Sequence, residues 1–347
     1  MRVLLIKLSS LGDVFHTFPA LSDARKAVPG VTFDWIVEEA FANLAVQHPA
    51  IDKVYPVKLR KLKQGKHRLR ELRAHWNELR DLVDTQNYDL VLDAQGLLKS
   101  AVLTRLSPAP AAGFGYGSAR EWLAVPFYKT KVASDRNQHA IKRTRQLFAG
   151  ALGYKLPKTE PEYSLDAKAW SEQAIANLQH LSLPLNYVVF LHGAAWQTKT
   201  WPRKRWRELA IMLHKNGANI LLPWGNQTEK HTADYIADGL DSVRVLPKLS
   251  VIEVAQILSQ AEAVIGVDSG LGHIPVAFGV PGLVLIGPTD PVKIGHIGPD
   301  QMMIQSRYHK APCYRRKCKD ALKNRCCMAA IGVEEVETAV KKLLAAG

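Results

Sequence analysis

The chain has 347 residues, more than one hydrophobic core usually organises, so two domains are expected. Its 47% hydrophobic and 22% charged residues are typical of a globular protein and exclude a disordered or low-complexity chain. The formal net charge of +14 favours an anionic partner, such as nucleic acid, an acidic lipid surface or a phosphorylated substrate.

The sequence contains no candidate membrane span, because its longest uncharged stretch, residues 274–288, is short and interrupted by glycine and proline. No secretory signal is recognised, since Lys7 interrupts the apolar run after Met1. All four cysteines lie near the C-terminus: Cys313, Cys318, Cys326 and Cys327. We therefore expect a cytoplasmic protein whose thiols are reduced.

The chain opens on a strand, a turn and a helix. Residues 2–8 form an apolar, branched run typical of a buried strand, and apolar residues recur at helical spacing over residues 14–21. The polar turn between them contains Gly12 and Asp13. In parallel sheets ligands bind outside the carboxyl ends of the strands, so Asp13 is expected at a ligand site. It is either a helix N-cap or a general base that takes a proton from an incoming hydroxyl.

The rest of the first half predicts further strands at residues 32–37, 53–57 and 90–93. An amphipathic helix is predicted within residues 59–86, and its leading part is strongly basic. Eight cations face one acid, Glu71, in this part: Lys58, Arg60, Lys61, Lys63, Lys66, Arg68, Arg70 and Arg73. Both interpretations stay open: a solvated helix face, or a surface that meets an anionic membrane or phosphorylated glycolipid.

A proline-bearing polar segment, residues 156–161, is a candidate linker, and a helix at residues 170–180 leads into the second half. Strands alternate there with helices. They are predicted at residues 187–191, 219–222, 243–246, 263–267 and 283–286. Pro202 suits the first turn of a helix, and Ser250 with Glu253 forms a capping-box signature. A final amphipathic helix begins near residue 333. This alternation predicts an α/β fold with parallel sheets covered on both faces, and two such sheets imply a cleft between domains.

Three more turns follow strands of the second half: residues 192–195 with Lys199, residues 268–273, and residues 287–291. Small residues beside a helix start present backbone N–H groups that suit a phosphate. Taken singly, each segment also fits an ordinary turn between a strand and a helix. Lys199 alone also fits a surface lysine, and His273 alone also fits a core histidine. Their shared position after strands favours one common ligand site.

The sequence disfavours a metal-dependent site. It contains no Asp-x-Asp pair of the kind that holds a divalent ion on a donor pyrophosphate, so charge neutralisation is assigned to Lys199 and helix N-termini. The cysteine spacing matches no common zinc pattern, which favours free buried thiols.

Residues 7–21 resemble the N-terminal signature of the bacterial lipopolysaccharide heptosyltransferases. Residues 33–39, 93–97 and 118–121 look like the heptosyltransferase I branch of that family. The likeness continues over residues 222–225, 267–273 and 287–291, so it covers nearly the whole chain.

The resemblance implies a GT-B fold: two Rossmann-like parallel-sheet domains facing an interdomain cleft. Residues 1–165 would bind the acceptor, residues 166–330 would bind ADP-heptose, and residues 331–347 would form a helix packing back on the core. The implied reaction is an inverting, metal-independent transfer of L-glycero-D-manno-heptose from ADP-heptose to Kdo of the lipopolysaccharide inner core, with Kdo-lipid A as acceptor. It needs no cofactor beyond the donor substrate. The implied location is the cytoplasmic face of the inner membrane, peripheral on its anionic surface, with no nucleic acid as partner.

The resemblance also implies residue roles. Asp13 matches the base that would deprotonate the Kdo hydroxyl, and Lys199 matches a lysine on the donor phosphates and sugar. The implied donor-binding residues are Ala194, Ala195, Lys199, Glu229, Leu249, Asp268, Ser269, Gly270 and His273. The implied acceptor-binding residues are Ser10, Gly12, Arg60, Lys61, Lys63 and Arg120.

Two departures from the family pattern matter. Relatives often carry threonines where this chain has Ala194 and Ala195, which leaves backbone donors for the phosphate. Residues 311–328 look more like heptosyltransferase II, so transfer of the second heptose stays open. Among other classes, a basic nucleic-acid-binding protein lacks a recognisable module, and a nicotinamide oxidoreductase is weakened because the first turn lacks Gly-x-Gly-x-x-Gly.

Overall fold

The computed structural model describes residues 1–58, 68–318 and 326–346, with the backbone alone described for residues 68–72 and 346. The chain divides into two compact units, Met1–Leu165 and Asp166–Gly347. Each unit contains a six-stranded sheet in which all neighbouring strands run parallel. The α/β fold with two parallel sheets, predicted from the alternation of strands and helices, is confirmed.

In the first unit the sheet order is β3-β2-β1-β4-β5-β6. Its strands are β1 (Arg2–Ile6), β2 (Thr32–Glu38), β3 (Ile51–Val57), β4 (Leu90–Asp93), β5 (Ala111–Phe114) and β6 (Thr130–Val132). Its helices are α1 (Leu11–Phe15), α2 (Phe18–Ala27), α3 (Ala42–Ala45), α4 (Arg68–Asp84), α5 (Leu98–Leu103) and α6 (Ala140–Leu152). The chain builds outward from β1 to β3 and then resumes on the other side of β1. The topological switch point therefore lies between β1 and β4, where parallel sheets bind ligands.

In the second unit the sheet order is β12-β11-β10-β7-β8-β9. Its strands are β7 (Val188–Leu191), β8 (Ile220–Leu222), β9 (Val243–Val245), β10 (Ala263–Val267), β11 (Gly282–Ile286) and β12 (Gln301–Gln305). Its helices are α7 (Ala167–Leu178), α8 (Arg203–Lys215), α9 (Gln227–Ala237), α10 (Val251–Ser259), α11 (His273–Phe278), α12 (Pro291–Ile294) and α13 (Val333–Ala346). The same reversal of direction places a switch point between β7 and β10.

Burial of the central strands explains why they read as continuous apolar runs. Val3, Leu4, Leu5 and Ile6 of β1 are fully buried because helices cover both faces of a parallel sheet. In the second unit, Trp206, Leu209, Ala210 and Leu213 form the buried stripe of α8 at helical spacing. Each sheet thus has a rigid apolar centre from which polar loops emerge at the strand ends.

The C-terminal helix α13 belongs to the core of the second unit. Its residues Val336, Val340 and Leu343 are buried in the same cluster as Trp206 and Met328. These apolar positions recur every three or four residues, which matches the amphipathic pattern in the sequence.

Most of the basic segment before α4 lies outside the described residues. Arg60, Lys61 and Lys63 belong to this part. The helix itself forms as predicted, and its residues Leu79 and Val83 are buried against the first sheet. Within the described ranges, no helix is both long enough and apolar enough to cross a bilayer.

Candidate active site

Asp13 lies in the first turn of α1, directly after the central strand β1. Its Oδ2 accepts a hydrogen bond from the Ser10 backbone N–H at 2.6 Å and another from the Ser10 hydroxyl at 3.2 Å. The N-cap is therefore Ser10, and the prediction that Asp13 fills that position is wrong: Asp13 is the third helical residue and binds back to the cap. This contact fixes the carboxylate at the carboxyl end of the sheet.

Lys7 is the buried cation that accompanies Asp13. Its Nζ lies 3.5 Å from Asp13 Oδ1 and donates a hydrogen bond to the Ala94 carbonyl at 2.8 Å. The side chains of Lys7 and Asp13 are only 8% and 16% exposed. A lysine inside an otherwise apolar strand is unusual, and in the sequence this was the available signal for a role at the site.

The electrostatic environment keeps Asp13 ionised. Burial raises the pKa of Asp13, but the positive charges of Lys7 and Arg120 and the nearby His16 together lower that pKa below its usual value. Burial also lowers the pKa of Lys7, partly offset by Asp13. Arg120 is exposed, and its charge acts on Asp13.

The loop after β4 supports this arrangement from the other side of the switch point. Gln95 Oε1 accepts hydrogen bonds from the backbone N–H groups of Leu8 and Ser9, both at 3.1 Å. Buried Asp93 accepts hydrogen bonds from the Tyr128 hydroxyl at 2.6 Å and the Gln95 N–H at 2.8 Å. Burial raises the pKa of Asp93, against the effect of these hydrogen bonds. These positioning residues hold the turn after β1.

The other acceptor-site candidates differ in exposure, and three of them are not described by the structure. Ser10 is exposed and Gly12 is buried within α1 beside Asp13. Arg60, Lys61 and Lys63 lie outside the described residues.

In the second unit, three loops meet at one ion pair. Lys199 Nζ, on the loop after β7, lies 2.6 Å from Asp268 Oδ2, on the loop after β10. The Thr289 hydroxyl, on the loop after β11, donates to the same oxygen at 2.5 Å. The Lys199 side chain is 15% exposed, so it is not an ordinary surface lysine. The strand-end turns that the sequence analysis grouped do come together within this unit.

Glu229 joins the loop after β7 to the loop after β8. Its Oε2 accepts the Gly225 N–H at 2.7 Å, and His192 Nε2 lies 3.0 Å from its backbone oxygen. Burial lowers the pKa of His192, which favours the neutral imidazole. A Cβ added at Gly193 would lie 2.6 Å from the Glu229 side chain, so a larger residue there would displace that carboxylate.

The remaining donor-site candidates lie around the same edge. Gly270–Gly272 forms a 3₁₀ turn, and His273 begins α11 with its ring 4.9 Å from that of His296. The Ser269 Oγ is buried and has no hydrogen-bond partner among the described residues, which leaves a donor for a ligand. The final members are half-buried or exposed and offer little polar side-chain chemistry: Ala194, Ala195 and Leu249.

Trp196 contacts two cations at this site and was not predicted from the sequence. Lys199 Nζ lies 4.8 Å from its ring centroid, and Arg316 Cζ lies 4.9 Å from the same centroid. The Thr198 hydroxyl donates to the Arg315 carbonyl at 2.7 Å, which ties the two segments together. Thr198 and Arg315 are 117 residues apart in the sequence, so no local sequence pattern could predict this contact.

The cysteines are free thiols. Cys326 and Cys327 are buried, whereas Cys313 and Cys318 are partly buried. All four line a cavity of about 230 Å³ with Thr198 and Tyr308. Across residues 1–58, 68–318 and 326–346, no group of three or more histidine, cysteine or acidic side chains has the arrangement of a metal site.

Comparison with known proteins agrees with this architecture. The family model for glycosyltransferase family 9 (heptosyltransferase) matches residues 73–323. Lipopolysaccharide heptosyltransferase 1 of Pseudomonas aeruginosa is 45% identical over 320 residues, which cover 92% of this chain and 87% of that protein. The Escherichia coli K12 protein of the same name is 43% identical over 310 residues, covering 88% of this chain and 94% of its own.

Solved structures lead to the same family. E. coli heptosyltransferase WaaC with ADP has a TM-score of 0.83 and 38% identity, covering 99% of this chain and all of that one. WaaC with ADP-2-deoxy-2-fluoro heptose has a TM-score of 0.82 and 37% identity, covering 99% of both chains. E. coli heptosyltransferase II, at 17% identity and a TM-score of 0.76 over nearly all of both chains, shares the fold. On the family match and these identities, the chain belongs to glycosyltransferase family 9, the heptosyltransferase family.

Proposed function

We propose that this protein transfers L-glycero-D-manno-heptose from ADP-heptose to Kdo of the lipopolysaccharide inner core, with Kdo-lipid A as acceptor. The observation that carries the proposal is the Asp13 carboxylate, paired with buried Lys7 at the switch point of the first sheet, in a chain 43–45% identical to lipopolysaccharide heptosyltransferases 1. The solved WaaC complex with a fluorinated ADP-heptose supports the choice of donor.

Asp13 acts as the general base. As the acceptor oxygen bonds to the anomeric carbon of the heptose, its proton passes to Asp13. The bond from that carbon to the phosphate oxygen breaks at the same time, and ADP leaves with the electron pair. In-line attack inverts the configuration of the anomeric carbon. Lys7 keeps the carboxylate ionised before the reaction, because its ammonium group favours the charged form.

The second unit holds the donor. Lys199 contributes a positive charge, and the loops after β7 and β10 present backbone N–H groups from Ala194, Ala195 and Gly270. Asp268 fixes Lys199 through the ion pair, and Thr289 fixes Asp268. Glu229 and Leu249 flank this edge as contacts for the nucleoside, while Ser269 and His273 complete the donor loop.

The first unit takes the acceptor. Arg120, whose charge reaches Asp13, attracts the Kdo carboxylate, and Ser10 and Gly12 shape the turn that the acceptor approaches. Arg60, Lys61 and Lys63 bind the anionic groups of the acceptor and bring the protein to the anionic cytoplasmic face of the inner membrane. The proposal requires an acceptor-binding domain, residues 1–165, and a donor-binding domain, residues 166–330, to face one cleft as in GT-B enzymes.

The test measures ADP release with ADP-heptose and defined acceptors, followed by mass spectrometry of the lipid product. Kdo-lipid A should gain a single heptose. Product formed only from an acceptor that already carries one heptose would assign the protein to the second transfer. Absence of ADP-heptose binding, combined with salt-sensitive retention on DNA, would favour a nucleic-acid-binding protein instead.

A further inference from the structure

A segment late in the chain, residues 308–318, lies against the donor edge of the second unit; we term it the strap. The Thr198 hydroxyl donates to the Arg315 carbonyl at 2.7 Å. The Tyr314 N–H donates to the Pro288 carbonyl at 2.7 Å, and its hydroxyl lies 3.3 Å from Asp290 Oδ2. The strap is therefore attached to two of the loops that meet at the Lys199–Asp268 pair.

The backbone of the strap is held in an uncommon conformation. Tyr314 has a φ of 53°, in the left-handed region that residues other than glycine rarely adopt. Such a conformation persists where surrounding contacts determine it, and both hydrogen bonds of Tyr314 do so here. The strap consequently presents its next residues in a defined place.

Arg316 is the strap residue placed beside the donor site. Its guanidinium carbon lies 4.9 Å from the centroid of Trp196, and Lys199 Nζ lies 4.8 Å from the same centroid. The two cations are thus no more than about 10 Å apart. Stacking on an indole orients a guanidinium without neutralising it, so its hydrogen-bond donors stay available.

The charges at the donor site favour a second cation beside Lys199. A nucleoside diphosphate carries at least two negative charges at neutral pH, and departure of the sugar adds charge at the leaving oxygen. The charge of Lys199 is already balanced by Asp268 at 2.6 Å. Ala194 and Ala195, on the loop that carries Lys199, add no side-chain donors. A fork-shaped guanidinium suits the two oxygens of a phosphate group.

We propose that Arg316, carried by the strap and stacked on Trp196, binds the diphosphate of the nucleotide-sugar donor and stabilises the departing nucleoside diphosphate. The inference rests on the proposed function and adds to it a binding residue outside the strand-end loops.

Calorimetric binding of ADP and of adenosine to the full chain tests the proposal. R316Q should weaken ADP binding about tenfold, the effect of losing one hydrogen bond to a charged group, and should leave adenosine affinity unchanged. R316K should recover part of the loss. R307Q is the matched control, because it removes the same charge from a 93% exposed side chain that pairs with Glu335 at 3.9 Å.

Three outcomes would overturn the inference: ADP affinity of R316Q within twofold of the unsubstituted protein, equal losses for ADP and adenosine, or an equal loss in R307Q. Thermal melting of each variant identifies a folding defect, and R316K then carries the comparison. Failure of the unsubstituted protein to bind ADP would instead contradict the proposed function, so the two failures are distinguishable.

Discussion

At the scale of single residues, each unit contains a carboxylate paired with a lysine at the carboxyl end of its sheet. Asp13 faces Lys7 at 3.5 Å in the first unit, and Asp268 faces Lys199 at 2.6 Å in the second. The two pairs have different consequences. Asp13 keeps a charge that is available to a proton donor, whereas Asp268 is occupied by Lys199 and by the Thr289 hydroxyl. We therefore assign proton transfer to Asp13 and positioning to Asp268.

Replacing Asp13 with asparagine should remove the base while preserving the shape of the side chain. We expect D13N to lower kcat by about 100- to 10,000-fold, the usual contribution of general-base catalysis, with ADP affinity unchanged. Steady-state kinetics with Kdo-lipid A and calorimetry with ADP measure the two effects. D52N, at a half-exposed position of the same unit, is the control. A D13N rate near that of the unsubstituted protein would remove Asp13 from the mechanism.

Replacing Lys7 with methionine should change the pH dependence of the reaction. Lys7 lowers the pKa of Asp13, so without the ammonium group burial prevails and that pKa rises. The acid limb of the kcat–pH profile should therefore move to higher pH in K7M and stay near its original position in K7R. A loss of rate that is the same at every pH would indicate a purely structural role for Lys7.

At the scale of secondary-structure elements, the sequence predicts what is apolar and regular. Strands β1, β4 and β10 are predicted within two residues because branched apolar runs are bounded by polar turns. Three strands carry no such pattern and were not predicted: β5, Ala-Ala-Gly-Phe, the three-residue β6, and β12, with its partly exposed polar ends. The candidate turns were recognised by their position after strands. Gln95 and Arg316 were missed because their partners, Leu8 and Trp196, lie far away in sequence. Lys7 is close to Asp13 in sequence, but only the fold shows that a buried strand lysine faces that carboxylate.

The loop after β7 and the start of α9 depend on the absence of a side chain at Gly193. A Cβ there would lie 2.6 Å from the Glu229 side chain, so G193A must displace Glu229 or the loop. We expect a destabilisation of at most about 1 kcal/mol, from disturbing the hydrogen bond between Glu229 and the Gly225 N–H, together with weaker ADP binding. G332A is the control, because nothing lies within 4 Å of a Cβ at that position. Equal denaturation midpoints and ADP affinities for the two variants would contradict this account.

At the scale of the whole molecule, the net charge of +14 is unevenly distributed along the sequence. Eight cations and one acid lie within residues 58–73 of the first unit. The last of these residues enter α4, whose Leu79 and Val83 pack against the sheet that carries Asp13. Under the proposed function this basic part of the sequence would hold an anionic lipid substrate at its membrane surface, since each lysine or arginine near such a surface contributes about 1 kcal/mol.

This distribution makes a prediction for the triple substitution R60Q, K61Q and K63Q. Affinity for vesicles containing anionic lipid should fall by roughly two orders of magnitude, from three lost contributions of about 1 kcal/mol each. KM for Kdo-lipid A should rise, whereas ADP affinity should not change, because the donor loops belong to the second unit. The control removes three exposed lysines from elsewhere in the first unit: Lys129, Lys131 and Lys155. Vesicle sedimentation at low and high salt separates the electrostatic part, which salt screens. If the control triple loses as much affinity, only the total charge matters; if ADP affinity falls with the first triple, the acceptor role is wrong.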